Sequence, residues 1–558
     1  QNSMSVAYRQ HFTTALVYLL SVWLMVRAYN LRRAGEVKRF WLPFILSLLT
    51  GFSHLFIMEY FAALELWRPL ILGLLIWRDE PAWRERLAKL MFFWLPYLVY
   101  TAGYVFWRLA FVQNQIDDPN QAVLLDNLRA SPVSTLVQFI QDAFLDLRYL
   151  LFGSWVDTLD PELVNITSPV SMVVFVLMIA SGVGVFWLMN RLVSKDQTEN
   201  TDPKPWDALL LGTAGVVLGL APAWVIGRHV FEGRYDTRFS IPALAGASLL
   251  VVAFLFYLIP NRNKAAVVLS VLLALGIGRQ VHMTNQFRWD WDRQTRAYWQ
   301  LYWRAPDIKP DTAILVNRSL SGYATTYPVG YAVNLFYAPE KINMAPDYWW
   351  FEIYESLLAT RIDDLYAGDT IRVTFHNLDF RVPSAQTLVV NLSSADEPTR
   401  CIWLLDASDE ENAAIPEEMR KLASLSDLNR IHPEPNGQPP AAIFGPEPAP
   451  YWCTYFQKAE LAAQLEDWET INTLYTEIKA RGLDSLYGRE YLPFIRASIA
   501  AQAWNQAATQ TLNAYQATKS LKPGLCVMWE KLDSPPADQS AFNTAFDKVN
   551  QELHCVGK

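Results

Sequence analysis

Apolar runs with few charges fill the chain up to about residue 280, after which Asp, Glu, Asn and Pro are mixed in as in water-soluble protein. Stretches close to the ~20 apolar residues that a bilayer core requires occupy residues 11–29, 39–58, 60–77, 88–112, 169–192, 206–227, 241–260 and 263–281. The pattern predicts about eight membrane spans joined mostly by tight connectors. Within the long connector 113–168, Val133, Val137, Ile140, Phe144, Leu147 and Leu151 recur at helical spacing, while Asp142 and Asp146 face elsewhere. That periodicity fits a helix lying in the plane of the outer leaflet, or an amphipathic helix packed on the soluble part.

Past residue 311 the pattern shortens. Runs of β type fall at Thr312 to Val316, Thr370 to Phe375, Thr387 to Leu392 and Cys401 to Leu405, alternating with helical patterns near 348–365 and 415–425. This predicts a small α/β domain over 312–444. A Pro-rich linker, 433–450, follows. After Tyr451 the chain becomes helical and repeats: Ala459-Glu460-Leu461-Ala462-Ala463-Gln464 is echoed by Ala497-Ser498-Ile499-Ala500-Ala501-Gln502, and Trp468 by Trp504, at offsets of 38 and 36. A period near ~34 residues with small residues where paired helices touch is TPR-like. The predicted fold is therefore an α-helical polytopic membrane domain (1–285), a connector (286–311), an extracytoplasmic α/β domain (312–444) and a TPR-like helical segment (451–558).

Composition narrows the function classes. Of 558 residues 52% are hydrophobic and 18% charged, and 47 Lys+Arg against 55 Asp+Glu leave a net charge of −8. A disordered chain, a collagenous repeat and a basic nucleic-acid module are excluded. Sidedness follows from Lys and Arg in short loops, which resist translocation. Arg27, Arg32, Arg33, Lys38 and Arg39 flank the first loop, Arg78, Arg84, Arg86 and Lys89 the third, and Arg262 and Lys264 the seventh, so these three are placed in the cytoplasm. The even loops and the C-terminal half are then outside. Connector 113–168 agrees, being rich in Asp. The chain does not begin with Met, and residues 1–10 would lie outside with no span to carry them there; the expectation is an N-terminal truncation, with Met4 as a genuine start the alternative. Cys401, Cys453, Cys526 and Cys555 all fall in the part placed outside, where they can pair in any of three connectivities or stay buried as thiols. Sequons stand at Asn165, Asn317 and Asn391.

Ionisable groups in or beside apolar spans cost a few kcal/mol on insertion scales and need a partner, water or a task. Glu59 and Tyr60 close the second span, with no cation near Glu59 in sequence. Glu65 and Arg68, three apart, can neutralise one another on one helix face as a structural lock or mark a transport path. The sixth loop, Arg228-His229-Val230-Phe231-Glu232-Gly233-Arg234-Tyr235-Asp236-Thr237-Arg238, carries cations on the side where loops are usually poor in them. Guanidinium groups suit a phosphate held bidentately; the bland reading pairs them with Glu232 and Asp236 in a solvated loop.

Three segments resemble the GT-C superfamily of polyprenyl-phosphate-sugar-dependent glycosyltransferases, in particular members that join a membrane half to TPR repeats. Phe56-Ile57-Met58-Glu59-Tyr60 followed by Leu66-Trp67-Arg68-Pro69-Leu70 is similar to the family's Lys-Glu segment, with Met58 in place of Lys. Glu232-Gly233-Arg234-Tyr235 through Ser240-Ile241-Pro242 resembles its Glu-Arg-Tyr segment, with Gly233 inserted. Trp289 to Trp303, ending in Arg304-Ala305-Pro306, resembles its lead into the extracytoplasmic domain. The resemblance spans residues 10–306 and implies inverting transfer of a sugar from a lipid phosphate to an acceptor hydroxyl of a protein or glycan outside the cytoplasm.

On that basis Arg234, supported by Arg228 or Arg238, is the expected phosphate clamp, Tyr235 and Tyr60 are expected hydrogen-bond donors to phosphate or sugar, and Glu59 is a supporting carboxylate. The family's catalytic Asp belongs to a loop that would precede Gln1, so this chain is expected to be inactive as it stands. No metal spacing, nucleotide loop or nucleophile triad is found in the soluble half, and no cofactor beyond the polyprenyl-phosphate-linked sugar is indicated. The rival expectation is a non-catalytic membrane scaffold that binds a partner through its repeats; a transporter using Glu65 and Arg68 is third.

Overall fold

A computed structural model describes residues 9–112, 123–159, 169–195, 205–232, 236–320, 322–341, 345–375, 378–393, 400–532 and 539–555. It divides into two units, Gln1–Phe287 and Arg288–Lys558.

The first unit is helical: α1 (Arg9–Arg33), α2 (Val37–Ile57), α3 (Trp67–Asp79), α4 (Trp83–Trp107), α5 (Val123–Ala130), α6 (Pro132–Arg148), a single turn α7 (Ser154–Val156), α8 (Pro169–Lys195), α9 (Pro205–Val225), α10 (Leu244–Leu258) and α11 (Arg262–Arg304), which continues past the division. Among the described residues eight helical segments are long and apolar enough to cross a membrane. Two of them begin as 3-10 helix, Glu59–Leu66 before α3 and Asp236–Ala243 before α10. Proline contributes to both: Pro69 brings no N–H to the turn that would bond the Glu65 carbonyl, and Pro242 sits inside the second segment.

The helices lock by close approach and by one buried ion pair. Gly212 and Gly215 of α9 face Gly246 of α10 so closely that a Cβ on Gly246 would stand 2.5 Å from the Val216 nitrogen, and Gly219 faces Ala243 just before α10 in the same way. Small residues bring backbones together where lipid offers no hydrophobic drive for association. Arg68 is fully buried and holds Glu65 through Nε to Oε2 (2.8 Å) and Nη2 to Oε1 (2.9 Å). Its Nη2 also donates to Ser21 Oγ of α1 (3.0 Å), and Tyr100 of α4 donates to Glu65 Oε2 (2.8 Å). The guanidinium lies 5.0 Å from the Tyr18 ring and 4.6 Å from the Tyr97 ring. The pair thus joins α1, α3 and α4.

The second unit is built on a four-stranded sheet of order β3-β2-β6-β7. In chain order its elements are β1 (Asp307–Ile308), β2 (Thr312–Val316), α12 (Thr326–Tyr337), β3 (Tyr348–Glu352), α13 (Ile362–Tyr366), β4 (Thr370–Phe375), β5 (Leu378–Pro383), β6 (Thr387–Asn391), β7 (Trp403–Leu404), α14 (Glu417–Leu422), β8 (Ile431–His432) and α15 (Ala441–Phe444). β2 runs parallel to β3 and β6, with Thr312 opposite Tyr348 and Val316 opposite Val390, and β7 is antiparallel to β6. Ile314, Val316, Trp350 and Val390 pack on one face with Trp299, Trp303 and Phe336; Ala313, Leu315, Trp349 and Val389 pack on the other with Trp452, Phe456 and Phe494.

Burial on both faces removes the polar alternation that marks a half-buried strand. This corrects the reading of 348–365 as helix: Tyr348-Trp349-Trp350-Phe351 belongs to an edge strand buried on both faces, and only Leu358–Thr360 and Ile362–Tyr366 are helical turns. The helical pattern near 415–425 is α14 with the 3-10 turn Ala423–Leu425.

Three helix pairs complete the unit: α16 (Trp452–Gln464) with α17 (Trp468–Arg481), α18 (Leu492–Ala500) with α19 (Trp504–Ala517), and α20 (Lys522–Glu530) with α21 (Gln539–Leu553). Trp468 and Trp504 each open the second helix of a pair, and each follows a left-handed residue two positions earlier, Glu466 (φ 58°) and Gln502 (φ 55°). Disulfides join Cys401 to Cys453 and Cys526 to Cys555. Glu490 is buried and accepts from Cys401 N (2.9 Å), Ser485 Oγ (2.6 Å) and Trp403 Nε1 (3.3 Å); burial holds its carboxyl above the ordinary range. Asn317 and Asn391 are buried (5% and 1% exposed), so neither sequon presents its amide, and Asn165 lies outside the described residues.

Glu352, at the carboxyl end of β3, is pushed up to about 7 by burial and by Glu355 beside it. A raised carboxyl binds more protons folded than unfolded, so its contribution is most favourable below the unfolded value near 4.5 and is lost as pH rises through about 7. Glu352→Gln is accordingly expected to raise Tm over the parent at pH 8, with the gain vanishing near pH 4.5; equal Tm differences at both would contradict this.

Candidate functional site

The eight long helices alternate in direction, so each end of the bundle collects a set of turns. One end gathers the basic loops, where Arg33 pairs with Asp79 (3.0 Å) and Arg78 with Asp207. The other gathers the turn between α2 and α3, the end of α4, α5 to α7, the turn at 226–232 after α9 and the Asp236–Ala243 segment before α10. Here regular α-helix gives way repeatedly, to π turns at Arg108–Val112 and Tyr149–Gly153 and to the 3-10 segments Val230–Glu232 and Asp236–Ala243. Such backbone at membrane depth needs protein or water partners for its polar groups.

Asp146 supplies several. It is fully buried on α6, and accepts from Trp224 Nε1 (2.8 Å) and Phe231 N (3.0 Å), with His229 Nδ1 at 3.3 Å. His229 Nε2 lies 3.7 Å from Asp142 on the same helix face. Two carboxylates four residues apart thus tie α6 to the sixth loop. The opposite face of α6 is apolar and uncovered, with Val133 76%, Ile140 58% and Phe144 64% exposed. Polar groups inward and apolar groups outward are the inverse of a helix in water.

Two cavities flank this turn. The first, about 320 Å³, has an apolar wall from Leu244, Ala247 and Val251 of α10 and Met283 of α11, and a polar end from Asp157, Thr158, Thr237, Ser240, Arg279 and Gln280. Tyr149 hydrogen-bonds to Asp157 there, within electrostatic reach of Arg279. The second, about 310 Å³, lies between α5, α6 and the turn, and includes Asn127, Gln138, Asp142, Trp224 and His229. Val230 lines the first while its neighbours His229 and Phe231 line the second.

The sequence-predicted residues are only partly assembled. Arg234 and Tyr235 lie outside the described residues; the segment that follows them contributes Thr237 and Ser240 to the first cavity. Arg238 stacks over its neighbour Phe239 (4.7 Å), and Tyr60 meets that same ring edge-on at 4.9 Å. Arg228 follows the turn, its N–H donating to the Ala223 carbonyl (2.9 Å). Glu59 has a cation after all: Arg108 Nε donates to its Oε2 at 2.8 Å. Its partner comes from the end of α4, which corrects the inference drawn from the absence of a nearby cation in sequence. Glu65 and Arg68 form the buried pair described above, and the pair fills its own site.

Asp146, Asp157, Arg108 and Arg279 were missed as site residues. Asp146 had a signal in its i,i+4 spacing with Asp142 on the polar face of an otherwise apolar helix, and Arg279 in closing the last apolar run. No family model, no curated protein and no solved structure matches the chain.

Replacing Asp146 by Ala strips the partner from two buried donors and is expected to cost about 2–4 kcal/mol of stability. Thermal unfolding of the protein in detergent measures this; a loss under about 0.5 kcal/mol, typical of surface positions, would contradict the role assigned to Asp146.

Proposed function

We propose that the chain belongs to a membrane glycosyltransferase of GT-C type, one that transfers a sugar from a polyprenyl-phosphate donor to an acceptor hydroxyl on the extracytoplasmic side. The observation that carries this reading is the first cavity. Its long apolar wall suits a lipid chain, and the Arg279, Thr237 and Ser240 end suits the phosphate that the chain bears. A sugar leaving a lipid phosphate requires that the departing anion be stabilised. Arg279 is the cation lining the cavity, and Arg234 stands three residues before Thr237 in sequence.

Sidedness is supported by the basic loops gathered at the opposite end of the helices. Two disulfides in the second unit suit an oxidising compartment. On this reading the C-terminal half is extracytoplasmic, and its three TPR-like helix pairs present the acceptor. One observation favours the scaffold as the second reading: a groove of about 420 Å³ runs beside Trp468, Asn472, Thr476 and Ala501 in those pairs, and a non-catalytic protein could hold a peptide there.

The test is transfer of labelled sugar from a polyprenyl phosphate by membranes holding the protein. Arg279→Gln and Arg234→Ala are each expected to lower turnover by ~100-fold, the scale for loss of one donor to a developing anion. Unchanged turnover in both removes the phosphate site, and absence of transfer by the parent from any donor favours the scaffold.

A further inference from the structure

We propose that the second cavity is a carbohydrate site, so that the acceptor in the reaction above is itself a glycan. Only the acceptor assignment rests on the glycosyl-transfer reading; the carbohydrate site stands on its own geometry.

The lining decides the ligand class. Its polar groups are Asn127, Thr135, Gln138, Asp142 and His229, and no Lys or Arg is among the described residues that line it. Phosphate and carboxylate ligands are therefore disfavoured, since Asp142 would repel them with no cation to compensate. A purely apolar ligand is disfavoured as well, because it would strip water from the side-chain amides of Asn127 and Gln138. Side-chain amides, a carboxylate and an imidazole are planar groups that donate or accept in fixed directions. They suit vicinal hydroxyls, each of which does both.

The rest of the wall is aromatic. Phe139 and Trp224 meet edge-on with centroids 5.6 Å apart, and the His229 and Phe231 rings lie 5.5 Å apart. Flat apolar rings beside planar polar groups match the two surfaces of a sugar, its C–H face and its hydroxyl rim. The site is also set before a ligand arrives: Asp146 holds Trp224 at 2.8 Å and His229 at 3.3 Å. Fixed side chains reduce the ordering cost of binding. A volume of about 310 Å³ is at the small end of ligand pockets, fitting one or two sugar rings.

The first cavity shares a carboxylate, an amide and aromatic rings (Asp157, Gln280, Tyr149 and Trp155) but differs in its aliphatic side chains Leu244, Val251 and Met283 and in Arg279. Val230 lines the first cavity and its neighbours His229 and Phe231 the second, so a lipid-borne sugar and a hydroxyl-bearing acceptor would meet at one turn.

The experiment uses the full chain in nanodiscs, with methyl glycosides of glucose, mannose, galactose and N-acetylglucosamine as probes and saturation-transfer-difference NMR as the readout. At least one glycoside is expected to bind saturably. Asn127→Ala and Gln138→Leu, substitutions at the cavity surface, are expected to weaken it at least tenfold while Tm and labelling of the first cavity by a photoreactive polyprenyl phosphate are retained. The proposal is overturned if no glycoside saturates, if both variants bind as the parent does, or if they lose lipid labelling together with the sugar. A glycoside that binds to a protein that takes up no polyprenyl phosphate upholds the carbohydrate site and removes the acceptor role.

Discussion

The architecture of the site end depends on one buried carboxylate. Asp146 accepts hydrogen bonds from a tryptophan and a backbone amide 78 and 85 residues further along the chain. In doing so it fixes the turn that separates the two cavities. Because Asp146 stands on the inward face of a helix whose outward face is apolar, α6 is anchored on one side by hydrogen bonds and left apolar on the other. That asymmetry makes sense where the uncovered face meets lipid, as in-plane helices do.

The same constraint explains the distribution of charge elsewhere in the first unit. The carboxylates Glu65 and Glu59 each meet a cation. Glu65 and Arg68 neutralise one another and recruit Ser21 and Tyr100, and Glu59 is met by Arg108. A carboxylate already paired this way contributes to shape before it contributes to chemistry. Arg279 and Asp157 line one cavity, and Asp142 and His229 the other, with His229 3.3 Å from Asp146. The second unit solves a different problem, covering both faces of a short mixed sheet, and buries Asp409 against Arg489 at 2.8 Å, which holds the Asp409 carboxyl below its usual range.

Much of the helical layout is legible in the sequence because bilayer thickness imposes a length, and length is visible without contacts. The runs 39–58 and 206–227 lie within a few residues of Val37–Ile57 and Trp206–Val225. The short strands Thr312–Val316 and Thr370–Phe375 are legible for their β-branched residues. Tyr348–Glu352 is not, since a strand buried on both sides has lost its alternation. The site was harder still. Glu59 and Arg108 are 49 residues apart, and the partners of Asp146 further, so spacing rules that work over three or four residues could not bring them together. The resemblance drew attention to the sixth loop and to Tyr60, which do meet at Phe239, while passing over Arg279.

The central claim is that the cavity between α7, the Asp236–Ala243 segment, α10 and α11 takes a lipid that bears a phosphate. Photo-cross-linking with a diazirine-bearing polyprenyl phosphate, mapped by peptide mass spectrometry, tests it most directly. The account predicts label concentrated on Val251 and Met283 and competed by unlabelled polyprenyl phosphate but not by the free alcohol. Label spread evenly over the exposed apolar surface of α4 and α8, or competed equally by the alcohol, would contradict it.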